Sequence, residues 1–520
     1  MMHASNENPV LDNPRLTELT SWDADWSGLR VVVAGIGVSG FAAADTLIEL
    51  GALVTVLDSG DNERNQQAAD TLKIVGARDV VLGPDAMTRV PDVVGVRPDL
   101  VVTSPGIRPT NPLLTAAREE GIQIWGDVEL AWRVSERRGR RTPQWLCVTG
   151  TNGKTTTVGM TESILRSAGL KAIAVGNVGT PILDALRDPV EYDVLAVELS
   201  SFQLHWAHSV SPLASAVLNV AEDHVDWHGS FENYRADKSR VYENTRVACI
   251  YNVDQPGAEE LVEAADVVEG CRAVGFTTGT PGLSMLGVVD ELLVDRAFVA
   301  DRATSAAEIG SVADTGELPT RHGVANALAA AALARAAGVE PGAVRDGLLA
   351  YRPGEHRIQL VAETEGVRWI DDSKATNPHA AQASLSAFDT VVWIAGGLSK
   401  GVDYDELVAA NAQRLKAVVV IGTDDAALLG SLSRLAPEVP VLAATPGLAG
   451  GTATSNGEPA IDPSDGHAVM RRAVQLAAAR TEPGDTVLMA PAAASMDQFT
   501  DYADRGTSFA RSVHEELGLA

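Results

Sequence analysis

From Leu29 onward the chain repeats one pattern: a short unbroken apolar run, a glycine-rich turn, then a longer stretch with apolar residues at helical spacing. Apolar residues 31–34, the turn at 35–40, an Ala-rich stretch at 41–50 and a second apolar run at 53–57 ending in Asp58 predict a βαβ unit. Further buried strands at 80–82 and 99–103 complete a first α/β domain over residues 1–135. The basic, Pro-bearing stretch 136–143 (ERRGRRTP) reads as a linker. A second α/β domain, 136–350, follows, with strands at 145–148, 194–197 and 216–218 and an Ala-rich helix at 326–337 ended by Gly338. Within it, 276–317 reads as strands and loops decorating the domain. A third doubly wound pattern, 351–520, has strands at 358–361, 391–395, 417–421 and 486–489 with helices between. The Gly-, Thr-, Ser- and Pro-rich stretch 447–466 predicts a surface loop.

Composition narrows the function. With 520 residues, 45% hydrophobic and 21% charged, the chain is long and apolar enough for about three packed domains. Lys plus Arg number 41 against 69 Asp plus Glu, a net charge of −28 that repels phosphate backbones and anionic lipid, so neither nucleic acid nor membrane is an expected partner. Three scattered cysteines, Cys147, Cys249 and Cys271, form neither a disulfide framework nor a metal-ligand motif and fit a reducing cytoplasm. The first thirty residues lack the pattern of a signal peptide, and no segment has the apolar length of a membrane span.

The strongest chemical signal is Thr149-Gly150-Thr151-Asn152-Gly153-Lys154-Thr155-Thr156 between a strand and a helix. Such a turn presents backbone N–H groups to phosphate, with Lys154 reaching the terminal phosphates and Thr155 a Mg²⁺ ion. Only the GxxGK[ST] half of the P-loop pattern is present, because Val148 stands where the full pattern has Gly. The turn at Gly35, Gly37 and Gly40, with Asp58 about twenty residues on, satisfies the dinucleotide fingerprint. By itself it suits NAD, any other pyrophosphate, or a tight turn with no ligand. Glu198 ends a buried strand, where it is either an oxygen ligand for Mg²⁺ or a helix-capping carboxylate. His224 alone reads as a packed or surface histidine, and Lys238 alone as a solvated helical lysine.

Taken as an ordered set, the 149–156 loop, Gly176-Asn177-Val178-Gly179, residues 198–203, Glu222-Asp223-His224 and Asp237-Lys238 resemble the Mur ligase family. So do the C-terminal runs at 372–378, Gly396-Gly397 with Lys400, 495–499 and Arg505-Gly506. The resemblance spans residues 29–517. It implies three α/β domains: a Rossmann-like N-terminal domain for a UDP substrate, a central P-loop-type ATPase on a parallel sheet, and a Rossmann-like C-terminal domain for an amino acid. The first glycine turn then belongs to UDP rather than NAD. The implied UDP-substrate residues are Ser39, Asp58, Ser59, Ser104, Gly106, Asn177, Ser200 and Gln203. The basic residue that relatives carry after the Asp-Ser/Thr pair is here Gly60.

By the same carry-over, Gly150, Thr151, Asn152, Gly153, Lys154, Thr155, Thr156, Asn326, His356, Arg357 and Asp372 bind ATP. Lys154, Glu198, His224 and Lys238 are the implied catalytic residues, and Thr155, Glu198, His224 and Lys238 surround the metal, Lys238 matching a lysine that the family carbamylates. Lys374, Thr376, Lys400, Ser495 and Tyr502 match the neighbourhood of D-glutamate, with Tyr502 standing where some relatives have Phe. The implied reaction uses ATP and Mg²⁺ to join D-glutamate to UDP-N-acetylmuramoyl-L-alanine through an acyl phosphate, in cytoplasmic peptidoglycan precursor synthesis, with a monomer expected. Nucleotide and amino-acid sites on different domains imply a closure about residues 350–355. The rival readings are a family ligase for another amino acid, a nicotinamide oxidoreductase built on the first turn, and a catalytically silent scaffold. Asp12-Asn13-Pro14-Arg15 spells a diaminopimelate-recognition motif, but at the wrong end of the chain, and is read as coincidence.

Overall fold

The computed structural model describes residues 13–316, 318–399, 401–445 and 461–519. Its first sheet has five parallel strands, β1 Arg30–Ala34, β2 Leu53–Asp58, β3 Asp79–Leu82, β4 Leu100–Thr103 and β5 Gln123–Gly126. Their order is β3-β2-β1-β4-β5. β1 is valine-rich and buried on both faces, which suits a central parallel strand covered by helices on each side. The chain crosses to opposite sides of β1 to form β2 and β4, so a crevice opens at the carboxyl end of β1, where the helix Val38–Glu49 begins.

The middle sheet contains β6 Gln144–Thr149, β7 Ala172–Gly176, β8 Val194–Glu198, β9 Ala214–Val217, β10 Ala248–Asn252, β11 Arg272–Phe276, β12 Met285–Val289, β13 Leu292–Asp295 and β14 Ala307–Ser311. Its order is β14-β13-β12-β11-β10-β9-β6-β8-β7. From β7 to β12 every pair is parallel, and β12, β13 and β14 add an antiparallel edge. Asp290 and Glu291, both with positive φ, make the two-residue turn that joins β12 to β13. This edge is the expected decoration at 276–317. β6 lies between β8 and β9, so the loop leaving it emerges in the middle of the sheet. The helix Arg321–Ala336 is Ala-rich because it is enclosed: Ala327 to Ala334 are fully buried, which leaves no side for a polar face.

The third sheet comprises β15 Gln359–Thr364, β16 Val367–Asp371, β17 Val391–Gly396, β18 Leu415–Ile421, β19 Val441–Ala443 and β20 Thr486–Met489. The order is β15-β16-β20-β17-β18-β19, antiparallel only between β15 and β16. Of the loop expected at 447–466, residues 447–460 lie outside the described residues, and Gly466 opens the helix Gly466–Ala478.

The described residues fall into two compact units, one running to Gly316 and again over Gly323–Tyr351, the other comprising the remainder. Within the first unit, the first and middle sheets share an apolar core in which Trp132 meets Trp145 edge-on at 5.2 Å. The buried Glu129 carboxylate fastens that junction, accepting from the backbone N–H groups of His208 and Ser209, from the Ser209 hydroxyl and from Arg133. Burial alone would raise this carboxyl, but the Arg133 charge and those donors hold it below the usual range. The basic stretch at 136–143 is tied down as well: the Arg138 N–H donates to Asp23, Arg140 donates to the Asp188 carbonyl, and Arg137 covers Trp22. Asn13 of the DNPR sequence caps the helix Pro14–Glu18. Among the described residues no helix is long and apolar enough to cross a membrane.

Candidate active site

The loop between β6 and the helix Lys154–Ser167 is shaped by its own residues. Gly153 caps that helix with φ +86°, and a Cβ there would collide with the Asn326 amide, so the glycine supplies both the left-handed turn and the close approach. Asn219, just beyond β9, receives the Asn152 N–H at 2.9 Å and returns its amide to the Asn152 carbonyl at 3.0 Å. Thr151 bonds the Tyr234 hydroxyl at 2.9 Å and receives the Ala221 N–H. The Lys154 ammonium donates to the carbonyls of Gly150 and Thr151 at 2.7 and 2.9 Å. Thr155 and Thr156 occupy the first turn of the same helix.

Lys238 is buried at the end of the helix Phe231–Ser239 and donates to the same Gly150 carbonyl at 2.9 Å, with its ammonium 4.6 Å from the Tyr234 ring. Burial, together with the Lys154 charge, pushes its pKa well below the ordinary lysine value. Asp237 receives His205 Nδ1 at 3.0 Å and His228 Nδ1 at 2.8 Å, and His228 Nε2 lies 3.0 Å from the Ser201 hydroxyl. Burial would raise the Asp237 carboxyl, but the two histidines hold it below the usual range. Glu198 closes β8, buried, and accepts from the Asn177 amide at 3.1 Å. His224 adopts φ +52° and packs its ring on Phe202 at 4.8 Å.

In the first sheet's crevice a cavity of about 440 Å³ is lined by Gly35, Asp58, Ser59, Ser104 and Gly106 among others. A Cβ at Gly40 would strike the Gly35 carbonyl, and one at Gly35 the Ser104 side chain, so both glycines are needed for the turn to close on β4. Asp58 binds the turn itself: its oxygens accept the Ile36 and Gly60 N–H groups, each at 2.8 Å. Ser39 and Gln203 both bond the partly buried Asp127, whose pKa desolvation raises. Ser200 and Gln203 form a reciprocal cap on the helix Ser201–His205.

The second unit gathers another group. His356 Nδ1 lies 2.6 Å from Asp371, and that hydrogen bond raises its pKa. Burial pushes Asp372 up to about 6, against the Ser384 hydroxyl bonded to it and the Arg357 charge. Lys374 places its ammonium 3.6 Å from the Tyr502 ring centre. Buried Arg505 donates to both the hydroxyl and the carbonyl of Ser373 at 3.0 Å and to the Ala493 carbonyl at 3.1 Å, holding the strand ends that lead to Lys374 and to Ser495. The Thr376 N–H turns back to the Lys374 carbonyl. Lys400 lies outside the described residues.

The structure thus brings Gly150 to Lys154, Asn326 and Lys238 around one loop and Glu198 to Asn177, and it joins His356 and Lys374 to their neighbours in the second unit. Sequence reasoning assigned no role to Tyr234 or Asp127, placed Asn219 only at a strand end where such sheets bind ligands, and read Arg505 only as part of a family motif. Tyr234 had a signal in its position one helical turn before Lys238. Among the described residues no three His, Cys, Asp or Glu side chains cluster as a metal cage.

Residues 29–126 match the Mur ligase MurD-like N-terminal domain, 148–334 the Mur ligase middle domain, and 356–493 the Mur ligase glutamate ligase domain. The chain belongs to the Mur ligase family, with its three α/β domains. It is 54% identical over 492 residues to a Streptomyces coelicolor protein named UDP-N-acetylmuramoylalanine-D-glutamate ligase, covering 95% of this chain and 99% of that one. A protein of the same name from Leifsonia xyli is 50% identical over 517 residues, covering 97% and 96%. The crystal structure of UDP-N-acetylmuramate-alanine ligase MurC from Thermotoga maritima shares the fold, with TM-score 0.51 at 19% identity over 94% of this chain and all of that one.

Proposed function

We propose that the protein is an ATP-dependent ligase that forms the amide bond between UDP-N-acetylmuramoyl-L-alanine and D-glutamate, as a cytoplasmic monomer in peptidoglycan precursor synthesis. The observation that carries this reading is the 50–54% identity, over nearly the whole chain, to relatives bearing that ligase name, together with the GxxGK[ST] turn that opens the helix Lys154–Ser167.

In this reading the alanyl carboxylate attacks the γ-phosphorus of ATP, giving an acyl phosphate and ADP. The amine of D-glutamate then attacks the acyl carbon, phosphate leaves, and the amine loses a proton. Two anions must approach each other, so charge neutralisation is the main electrostatic task. Lys154 exchanges the Gly150 and Thr151 carbonyls for phosphate oxygens, while the loop N–H groups and the start of its helix hold the rest of the triphosphate. Gly153 packed on Asn326 keeps the loop's curvature.

Hard oxygen donors suit Mg²⁺, which takes few protein ligands and completes its shell with water and phosphate. Glu198 and the Thr155 hydroxyl fit that chemistry without a full cage, with His224 and Lys238 beside them in this reading. Bound Mg²⁺ supplies charge neutralisation of the phosphates. The buried amine of Lys238, disfavoured as an ammonium, is suited to take up CO₂ as a carbamate, which would replace a cation by an oxygen anion. Lys374, Thr376, Lys400, Ser495 and Tyr502 hold D-glutamate, and Arg505 sets the two segments that carry Lys374 and Ser495.

The test is phosphate release from ATP and Mg²⁺ with UDP-N-acetylmuramoyl-L-alanine and a panel of amino acids. Turnover is expected with D-glutamate. Turnover with L-alanine, diaminopimelate or L-glutamate in its place would overturn the assignment.

A further inference from the structure

The cavity at the first sheet's crevice must accept a diphosphate if the proposed function holds, and the inference below rests on that reading. A diphosphate carries its charge into a protein of net charge −28. The crevice nevertheless contains a cation. Among the cavity's described lining residues that cation is Arg108, from the turn after β4. Thr110 and Asn111 line the wall beside it, and Gly35 and Gly37 face the same space from the turn at the start of the helix Val38–Glu49.

Arg108 is held at the rim rather than buried. Its Nη2 donates to Asp226 at 2.7 Å, and both side chains are more than half exposed, 57% and 71%. An exposed ion pair of this kind contributes little to stability, so the guanidinium can change partners at small cost. A diphosphate offers it a bidentate acceptor of higher charge, which the Arg fork matches and Lys meets only as a point charge. Asp226 lies in the short helix Val225–His228, directly after His224 and next to Trp227. The pair therefore joins the cavity rim to the segment bearing His224.

We propose that Arg108 is a specificity-determining residue that binds the diphosphate of the uridine substrate, supplying positive charge to the cavity from the turn after β4, and that Asp226 occupies its guanidinium until the substrate arrives. Two consequences distinguish this role from a structural one. Affinity for the diphosphate should depend on Arg108 while affinity for the bare nucleoside does not. Removing the Asp226 charge should help the ligand, because the competing acceptor is gone.

The experiment measures binding of UDP and of uridine to the full chain by calorimetry, with uridine in competition format, for the wild type, Arg108→Ala, Arg108→Lys and Asp226→Asn. Arg108→Ala is expected to weaken UDP binding roughly tenfold, the usual scale for a charge-assisted hydrogen bond, and to leave uridine unchanged. Arg108→Lys should recover part of the loss, and Asp226→Asn should bind UDP as tightly as wild type or more tightly. In turnover the Arg108→Ala loss should fall on KM for the uridine substrate and not on KM for ATP. Equal UDP affinity in wild type and Arg108→Ala would overturn the proposal, as would an Asp226→Asn loss as large as that of Arg108→Ala. A wild type that binds neither UDP nor uridine would instead remove the underlying functional reading. Thermal midpoints of the variants within a few degrees of wild type confirm that the comparison is between folded proteins.

Discussion

Two lysines donating to one carbonyl define the chemistry at the residue scale. Lys154 and Lys238 both bond the Gly150 carbonyl, so each raises the cost of the other's charge. Lys154 sits at the head of its helix, beside the loop amides, and Lys238 is buried behind the loop. Lys154→Ala is expected to abolish ATP consumption while far-UV circular dichroism and the thermal midpoint stay near wild type, since the Gly150 carbonyl keeps its bond from Lys238 and water can satisfy the Thr151 carbonyl. Residual turnover above a few per cent would show that the loop binds its phosphates without it. Asp372 gives a second residue-scale outcome, in pH. Its folded pKa of about 6 lies above the unfolded value near 3.9, so its stabilising contribution is complete below the latter and is lost as pH rises through the former. Measured against Asp372→Asn by denaturant midpoints, the wild type should lose roughly 2–3 kcal/mol between about pH 4 and 7. A constant difference across that range would mean that the carboxyl titrates alike in the folded and unfolded protein. Local residues of this kind were legible in the sequence where the motif is contiguous, as from Gly150 to Thr156. Tyr234 and Asn219 were not, because they reach Thr151 and Asn152 across 83 and 67 positions.

The helix Lys154–Ser167 owes its position to a second helix, Pro341–Ala350. They approach so closely at Gly347 that a Cβ there would strike the Ile164 backbone, and Ser163 donates to the Gly347 carbonyl at 2.7 Å. Gly347 has no left-handed φ, so space is the constraint. Gly347→Ala should therefore cost about 1–3 kcal/mol by overpacking and raise KM for ATP, because the displaced helix carries Lys154. Calorimetry and nucleotide titration check the two parts. A variant as stable as wild type would mean that the helices slide apart freely. Elements with strong apolar runs, such as β1 and β17, were readable from pattern alone. β5, β7, β10 and β11 were passed over, because runs of four or five residues containing Gly, Gln, Arg or Asn acquire their burial from neighbouring strands.

The first and middle sheets share one apolar core, whereas the second unit has its own clusters. Calorimetry is expected to show two transitions, with UDP raising only the one that belongs to the unit holding the crevice cavity. At a hundred times its Kd the ligand adds about 2.7 kcal/mol to that unit. A single transition moved as a whole would contradict independent unfolding. By itself the sequence determined three α/β patterns, the phosphate loop and the family, since these are recorded in residue types at short spacing along the chain. The tertiary structure decided which side chains meet. Long-range contacts are chosen by strand order and by the packing of distant segments, and no local spacing encodes them. Hence Arg505 reaches Ser373 across 132 positions, and Arg108 reaches Asp226 across 118.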